Sequence, residues 1–161
     1  MNLSTGLARL TYKQVFTDEE CDWLYDQCTL IEDARWVKRV NMHAFRTLAE
    51  SSCSYHVCLN KAIPTDLYDF LTSRNPCPDQ SLQEIVINKY YVGDWIPMHR
   101  DTHMYRSFVL TPLQSFGDGV EIEGKMFTDT KGIGLLFDGT GHKHRVLEVR
   151  QLRFTVLYLY E

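Results

Sequence analysis

A chain of 161 residues, 44% of them hydrophobic and 24% charged, is long enough for one domain that buries roughly two thirds of its unfolded surface, and this composition excludes extended disorder. The formal net charge of −4 argues against a protein that binds nucleic acid through broad phosphate contacts. The five cysteines, Cys21, Cys28, Cys53, Cys58 and Cys77, are odd in number and include no close pair of the CxxC kind. That counts against structural zinc and a disulfide framework, and points to a reducing compartment.

The N-terminus carries no basic start followed by an apolar run, and no stretch approaches 18 apolar residues. A cytoplasmic protein with no membrane partner is expected. Thr17-Asp18-Glu19-Glu20 has the pattern of a capping box. The helix after it places Cys21, Leu24, Tyr25, Cys28 and Ile31 on one stripe. A second helix is predicted from Pro64-Thr65-Asp66 to about Ser73, with Leu67, Phe70 and Leu71 buried, stopped by Asn75-Pro76-Cys77-Pro78.

Between them, Arg35 to Arg46 mixes cations, Arg39 among them, with Trp36, His43 and Phe45. Such interleaving suits stacking on nucleic acid, but a solvated loop or substrate lid is the favoured reading.

From residue 84 the texture changes. Glu84 to Tyr91, Tyr105 to Leu113, Ile133 to Phe137 and Phe154 to Tyr160 are short apolar runs divided by glycine-bearing turns. Short strands at this spacing predict a sandwich or barrel. The expected organisation is a single domain over 1–161, with a helical layer over about 1–80 and a β-core over about 81–161.

His99-Arg100-Asp101 is the first chemical anchor. On a strand, residues two apart share a face, so His99 and Asp101 can converge on one ion while Arg100 points away. Two histidines and one carboxylate on one face leave open positions on iron(II). A third ligand must come from a distant strand, and His142 and His144 both offer one.

The C-terminal segment Gly141-His142-Lys143-His144-Arg145-Val146-Leu147-Glu148-Val149, followed by Arg153-Phe154-Thr155, resembles the 2-oxoglutarate oxygenase superfamily. Its distal histidine, the valines two and five residues on and the arginine nine residues on match His144, Val146, Val149 and Arg153, which favours His144 over His142. Asn88-Lys89-Tyr90 ahead of His99, Gly119 to Gly124 and Gly132 to Asp138 resemble further strands of that superfamily. Phe16 to Cys21 resembles the leading helix of its prolyl-hydroxylase-like branch.

The resemblance implies a mainly β fold, a double-stranded β-helix (jelly-roll, cupin-like) with N-terminal helices packed on one sheet. It implies iron(II) held by His99, Asp101 and His144. It implies 2-oxoglutarate bound by Arg153, with Tyr90, Thr155 and Asn88 in support, because a guanidinium meets a carboxylate with two hydrogen bonds. O2 would be the second co-substrate, and ascorbate a reductant. Trp95, His103, His142 and Arg39 are candidates for the entrance or substrate contacts.

The implied reaction is hydroxylation of a C–H bond with release of succinate and carbon dioxide. A polypeptide substrate is favoured. A nucleobase or nucleotide, as in the alkylated-base repair branch, is the alternative, and a non-catalytic metal-binding module of the same fold is a third reading.

Overall fold

The computed structural model describes residues 10–39, 54–101 and 107–161. Cys53, His43 and His103 therefore lie outside the described residues, as does the lid segment beyond Arg39.

Eight strands make the core: β4 (Leu82–Tyr90), β5 (Ile96–His99), β6 (Ser107–Pro112), β7 (Gly119–Ile122), β8 (Lys125–Thr128), β9 (Ile133–Phe137), β10 (His144–Val146) and β11 (Arg153–Tyr160). They divide between two antiparallel sheets. The larger contains β9-β6-β11-β4 in that order, and the smaller is β5-β10-β7-β8. This is the expected double-stranded β-helix. Three strands from the first 80 residues, β1 (Thr11–Gln14), β2 (Val37–Arg39) and β3 (Tyr55–Leu59), widen the larger sheet to seven. The N-terminal layer is therefore not purely helical. These strands are short or polar and carry weak alternation, which is why the sequence pattern does not single them out.

The two helices, α1 (Asp18–Thr29) and α2 (Thr65–Ser73), cover the outer face of the larger sheet. In α1 the capping box is complete: Thr17 Oγ1 accepts from Glu20 N–H at 3.1 Å, and Glu20 returns the bond to Thr17 N–H at 3.0 Å. Cys21, Leu24 and Cys28 pack with Leu67 and Leu71 on Ile85, Ile87, Val109, Phe154, Val156, Tyr158 and Tyr160. Phe70 is half-buried, against Phe16 and Trp23. Trp36 belongs to this core and packs on Phe154, so it is not part of an exposed lid. Burial pushes the thiol of Cys21 up to about 12 and that of Cys58 up to about 11, as suits unreactive core cysteines.

Alternation on β4 and β11 then decides what the inner face carries. Ile85, Ile87, Val156 and Tyr158 face the helices, so Glu84, Val86, Asn88 and Tyr90 on β4 face inward, with Arg153, Thr155, Leu157 and Leu159 opposite them on β11. Among the described residues, no helix is long and apolar enough to cross a membrane.

Candidate metal centre

Between the sheets lies a cavity of about 260 Å³. Its walls mix aliphatic side chains, Val86, Leu110, Val120 and Leu157 among them, with the polar Arg39, Glu84 and Asn88, and Phe108 and Phe137 stand near a cluster of possible metal ligands.

That cluster is His99, Asp101 and His144, whose ligand atoms all lie within 4.8 Å of one another. His99 and His144 are Cα partners across β5 and β10, which brings their rings to 4.3 Å between centroids. Asp101 is not on the strand, contrary to the expectation that a continuous strand carries both. It follows the end of β5, and its N–H donates to Gly139 O at 3.0 Å. The turn Asp138-Gly139-Thr140-Gly141 thus sets the carboxylate. Asp138 accepts from Thr140 N–H at 2.9 Å and Thr140 Oγ1 at 2.7 Å, which fixes that turn in place.

The nitrogens are sorted by the backbone. His99 Nδ1 bonds Pro97 O at 2.8 Å, and His144 Nδ1 bonds His142 O at 2.9 Å. A carbonyl only accepts, so each Nδ1 carries a proton and each Nε2 is the nitrogen turned inward, free to donate to Asp101 when the ring is charged and to offer a lone pair when it is neutral. Both Nε2 atoms approach one oxygen, Asp101 Oδ1, at 3.2 Å and 3.5 Å. Burial works to raise the pKa of Asp101, but hydrogen bonds from His144 and His99 outweigh it and hold the carboxyl below its ordinary range. Burial disfavours charge on His99, yet the Asp101 and Pro97 bonds hold it above the usual histidine value. Two imidazoles, once neutral as metal ligation requires, and one ionised carboxylate, all aimed at one point, fit iron(II).

Arg145, between His144 and Val146, points the other way. It makes a fork to Glu121 on β7 at 2.9 and 3.0 Å, which fixes the register that turns His144 inward. Val146 and Val149 are buried with Tyr90 and Ile96, so the valine spacing of the C-terminal motif is a packing requirement.

The expected co-substrate residues come together on the larger sheet. Tyr90 is the register partner of Arg153, and Asn88 that of Thr155. Asn88 and Tyr90 line the cavity, with Asn88 Nδ2 donating to Tyr90 Oη at 3.3 Å. The Arg153 guanidinium lies 4.9 Å from the Tyr90 ring centroid, and Tyr55 stacks on Tyr90 at 5.8 Å. Arg153 is already engaged: its Nε and Nη2 donate to Asp129 at 2.7 and 2.9 Å. Among the described residues its Nη1 is buried without a partner, and so is Thr155 Oγ1. Neither residue is among those that line the cavity, whose wall here is Asn88 and Tyr90, but two buried donor groups without a partner, two residues apart on the inner face of one strand, suit the far carboxylate of 2-oxoglutarate.

The other expected residues separate. Arg39 is exposed and lines the cavity. Trp95 is half-buried and is not among the lining residues. His142 is buried beside Phe137 at 6.5 Å, with Nδ1 bonded to Asp138 O at 2.7 Å, and outside both the cluster and the cavity wall. Asp129, Gly139 and Tyr55 carry the site without standing out in the sequence. For Asp129 one cue exists, since a buried arginine requires a counter-charge.

No family model matches the chain, and no curated protein matches it in sequence. Solved structures match over most of its length. A 2OG-Fe(II) oxygenase family oxidoreductase from Burkholderia pseudomallei aligns with a TM-score of 0.67 at 15% identity, covering 96% of this chain and 86% of that one. A prolyl-4-hydroxylase from Pseudomonas putida aligns with a TM-score of 0.68 at 13% identity, covering 96% and 95%. The non-heme alpha ketoglutarate dependent epimerase SnoN from nogalamycin biosynthesis aligns at 0.69 and 8% identity, covering 94% and 77%. The chain has the fold of the 2OG-Fe(II) oxygenases and prolyl hydroxylases that it resembles, with a two-histidine, one-carboxylate cluster in its cavity.

Proposed function

We propose that this protein is an iron(II)- and 2-oxoglutarate-dependent oxygenase that hydroxylates a C–H bond, on a polypeptide in the manner of the prolyl-hydroxylase-like proteins. The observation that carries the reading is the convergence of His99 Nε2 and His144 Nε2 on Asp101 Oδ1, with both Nδ1 atoms tied to backbone carbonyls. Iron(II), when bound, supplies the activation of O2 that is coupled to decarboxylation of 2-oxoglutarate to succinate. His99, Asp101 and His144 would hold it.

Arg153 and Thr155 would bind the far carboxylate, beside Asn88 and Tyr90. Arg39 lines the cavity from an exposed position and is placed to meet a substrate.

Substrate class is tested with iron(II), 2-oxoglutarate, O2 and ascorbate by following succinate in the presence of peptide or oligonucleotide pools. Stimulation by peptides supports the polypeptide reading. Stimulation by oligonucleotides alone replaces it with the nucleobase reading. Binding of iron and 2-oxoglutarate with no turnover in any pool favours the non-catalytic module.

A further inference from the structure

The Arg153–Asp129 pair sets the electrostatics of the far-carboxylate site. A guanidinium has five N–H donors. Asp129 takes one from Nε and one from Nη2, while Nη1 has no partner among the described residues. Asp129 is itself buried, and so is Asp118, whose carbonyl accepts the Asp129 N–H at 2.8 Å.

The groups facing Asp129 are Arg153 from β11, Asp118 from the turn before β7, and, beyond Arg153, the Tyr90 phenol from β4. Arg150 approaches Asp118 at 4.0 Å, but its side chain is 77% exposed and screened by water. Asp129 alone bonds the buried guanidinium, and Asp118, whose carboxylate accepts from Arg150 N–H at 3.2 Å, adds a second negative charge nearby. A third carboxylate docking at Nη1 and Thr155 Oγ1 finds a cation whose charge is already balanced. Like charges in a water-poor site favour the neutral form of one of them.

We propose that the far carboxylate of the co-substrate binds together with one proton, taken from solvent by Asp129. The inference rests on the 2-oxoglutarate reading above. A protonated Asp129 still accepts one Arg153 bond through its carbonyl oxygen and frees the other arm of the fork for the incoming anion. Burial already raises the pKa of Asp129 in spite of Arg153, so the group is primed in this direction. The linkage has a definite sign. Binding takes up a proton between the free and loaded titrations of Asp129, so affinity falls as pH rises. Titration of the metal-binding histidines acts in the opposite sense, since metal ligation strengthens as they lose protons.

The test is calorimetric titration of Mn(II)-loaded protein with 2-oxoglutarate from about pH 5.5 to about pH 8.5, in buffers of different ionisation enthalpy. Wild type is expected to take up close to one proton in part of this range, with affinity falling by up to about tenfold per pH unit there. Asp129→Asn is expected to bind with a flat pH profile, and more tightly than wild type at the alkaline end. Its Mn(II) affinity should be unchanged, because Asp129 is not in the metal cluster.

Proton-neutral, pH-independent binding by wild type overturns the proposal, as does a wild-type slope retained in Asp129→Asn. If the variant fails to fold, the wild-type proton count alone decides. Failure of 2-oxoglutarate to bind Mn(II)-loaded wild type at any pH overturns the co-substrate reading itself, and this inference with it.

Discussion

Gly139 is packed directly against Asp101. Its carbonyl holds the Asp101 N–H, and a Cβ at this position would overlap Asp101 Oδ2 and stand 2.5 Å from Phe108 Cε1. The requirement is for space and not for unusual backbone angles. Gly139→Ala should therefore push the carboxylate off the axis shared by His99 and His144. Metal affinity should fall by roughly 10- to 100-fold, the usual range for a residue that orients a ligand. Titration with Mn(II) or Co(II) checks it, and unchanged affinity would mean that the turn does not set Asp101.

The His99–Asp101 pair makes metal and proton compete. In the metal-free protein, the His99 share of the pair's stability is present below the ordinary histidine pKa and lost as pH rises through its raised value. The Asp101 share is present above the ordinary carboxylate pKa and lost as pH falls through its depressed value. Metal requires His99 neutral, so its stabilising effect grows with pH. Between about pH 5.5 and 8, the Tm of metal-free protein should decline from this pair while the Tm increment given by Mn(II) rises. Thermal scans with and without metal check both slopes, and an increment that shrinks with pH would contradict this assignment.

Arg153 recognises a carboxylate by geometry as well as charge. Arg153→Lys keeps the charge, loses the fork to Asp129 and leaves Thr155 without its neighbour donor. Affinity for 2-oxoglutarate should drop by at least about tenfold. Arg153→Ala leaves Asp129 buried and unpaired and should also destabilise the domain by about 3–5 kcal/mol. Isothermal titration and chemical denaturation separate the two effects.

Far from the site, the helical layer is held by specific bonds. Thr17→Ala removes the α1 capping box and should cost about 1 kcal/mol. Tyr158→Phe deletes a buried bond to Leu71 O at 2.7 Å, which ties β11 to α2. It should cost about 1–2 kcal/mol. Neither should alter metal affinity, so urea midpoints should move while Mn(II) titrations do not.

Much of this was legible in the sequence because the relevant spacings are local. The capping box, the second helix and the inward alternation of β4 and β11 follow from short-range patterns, and Val146 and Val149 mark the cluster under the site. His99 and Asp101 read as a pair, although the second residue lies off the strand. What remained hidden acts through space. Asp129 lies 24 residues from Arg153, and its type is that of an ordinary turn residue. Gly139 looks like loop punctuation until Asp101 is placed beside it. The strands β1 to β3 are edge additions whose pairing partners, not their own sequence, hold them extended.

The most direct test of the central claim is iron(II) binding to anaerobic protein, followed by succinate formation from 2-oxoglutarate when O2 is admitted. Wild type should bind one iron(II) and form succinate, and both should be lost in His99→Ala and in His144→Ala. An iron stoichiometry and a succinate yield indifferent to either histidine would contradict the account.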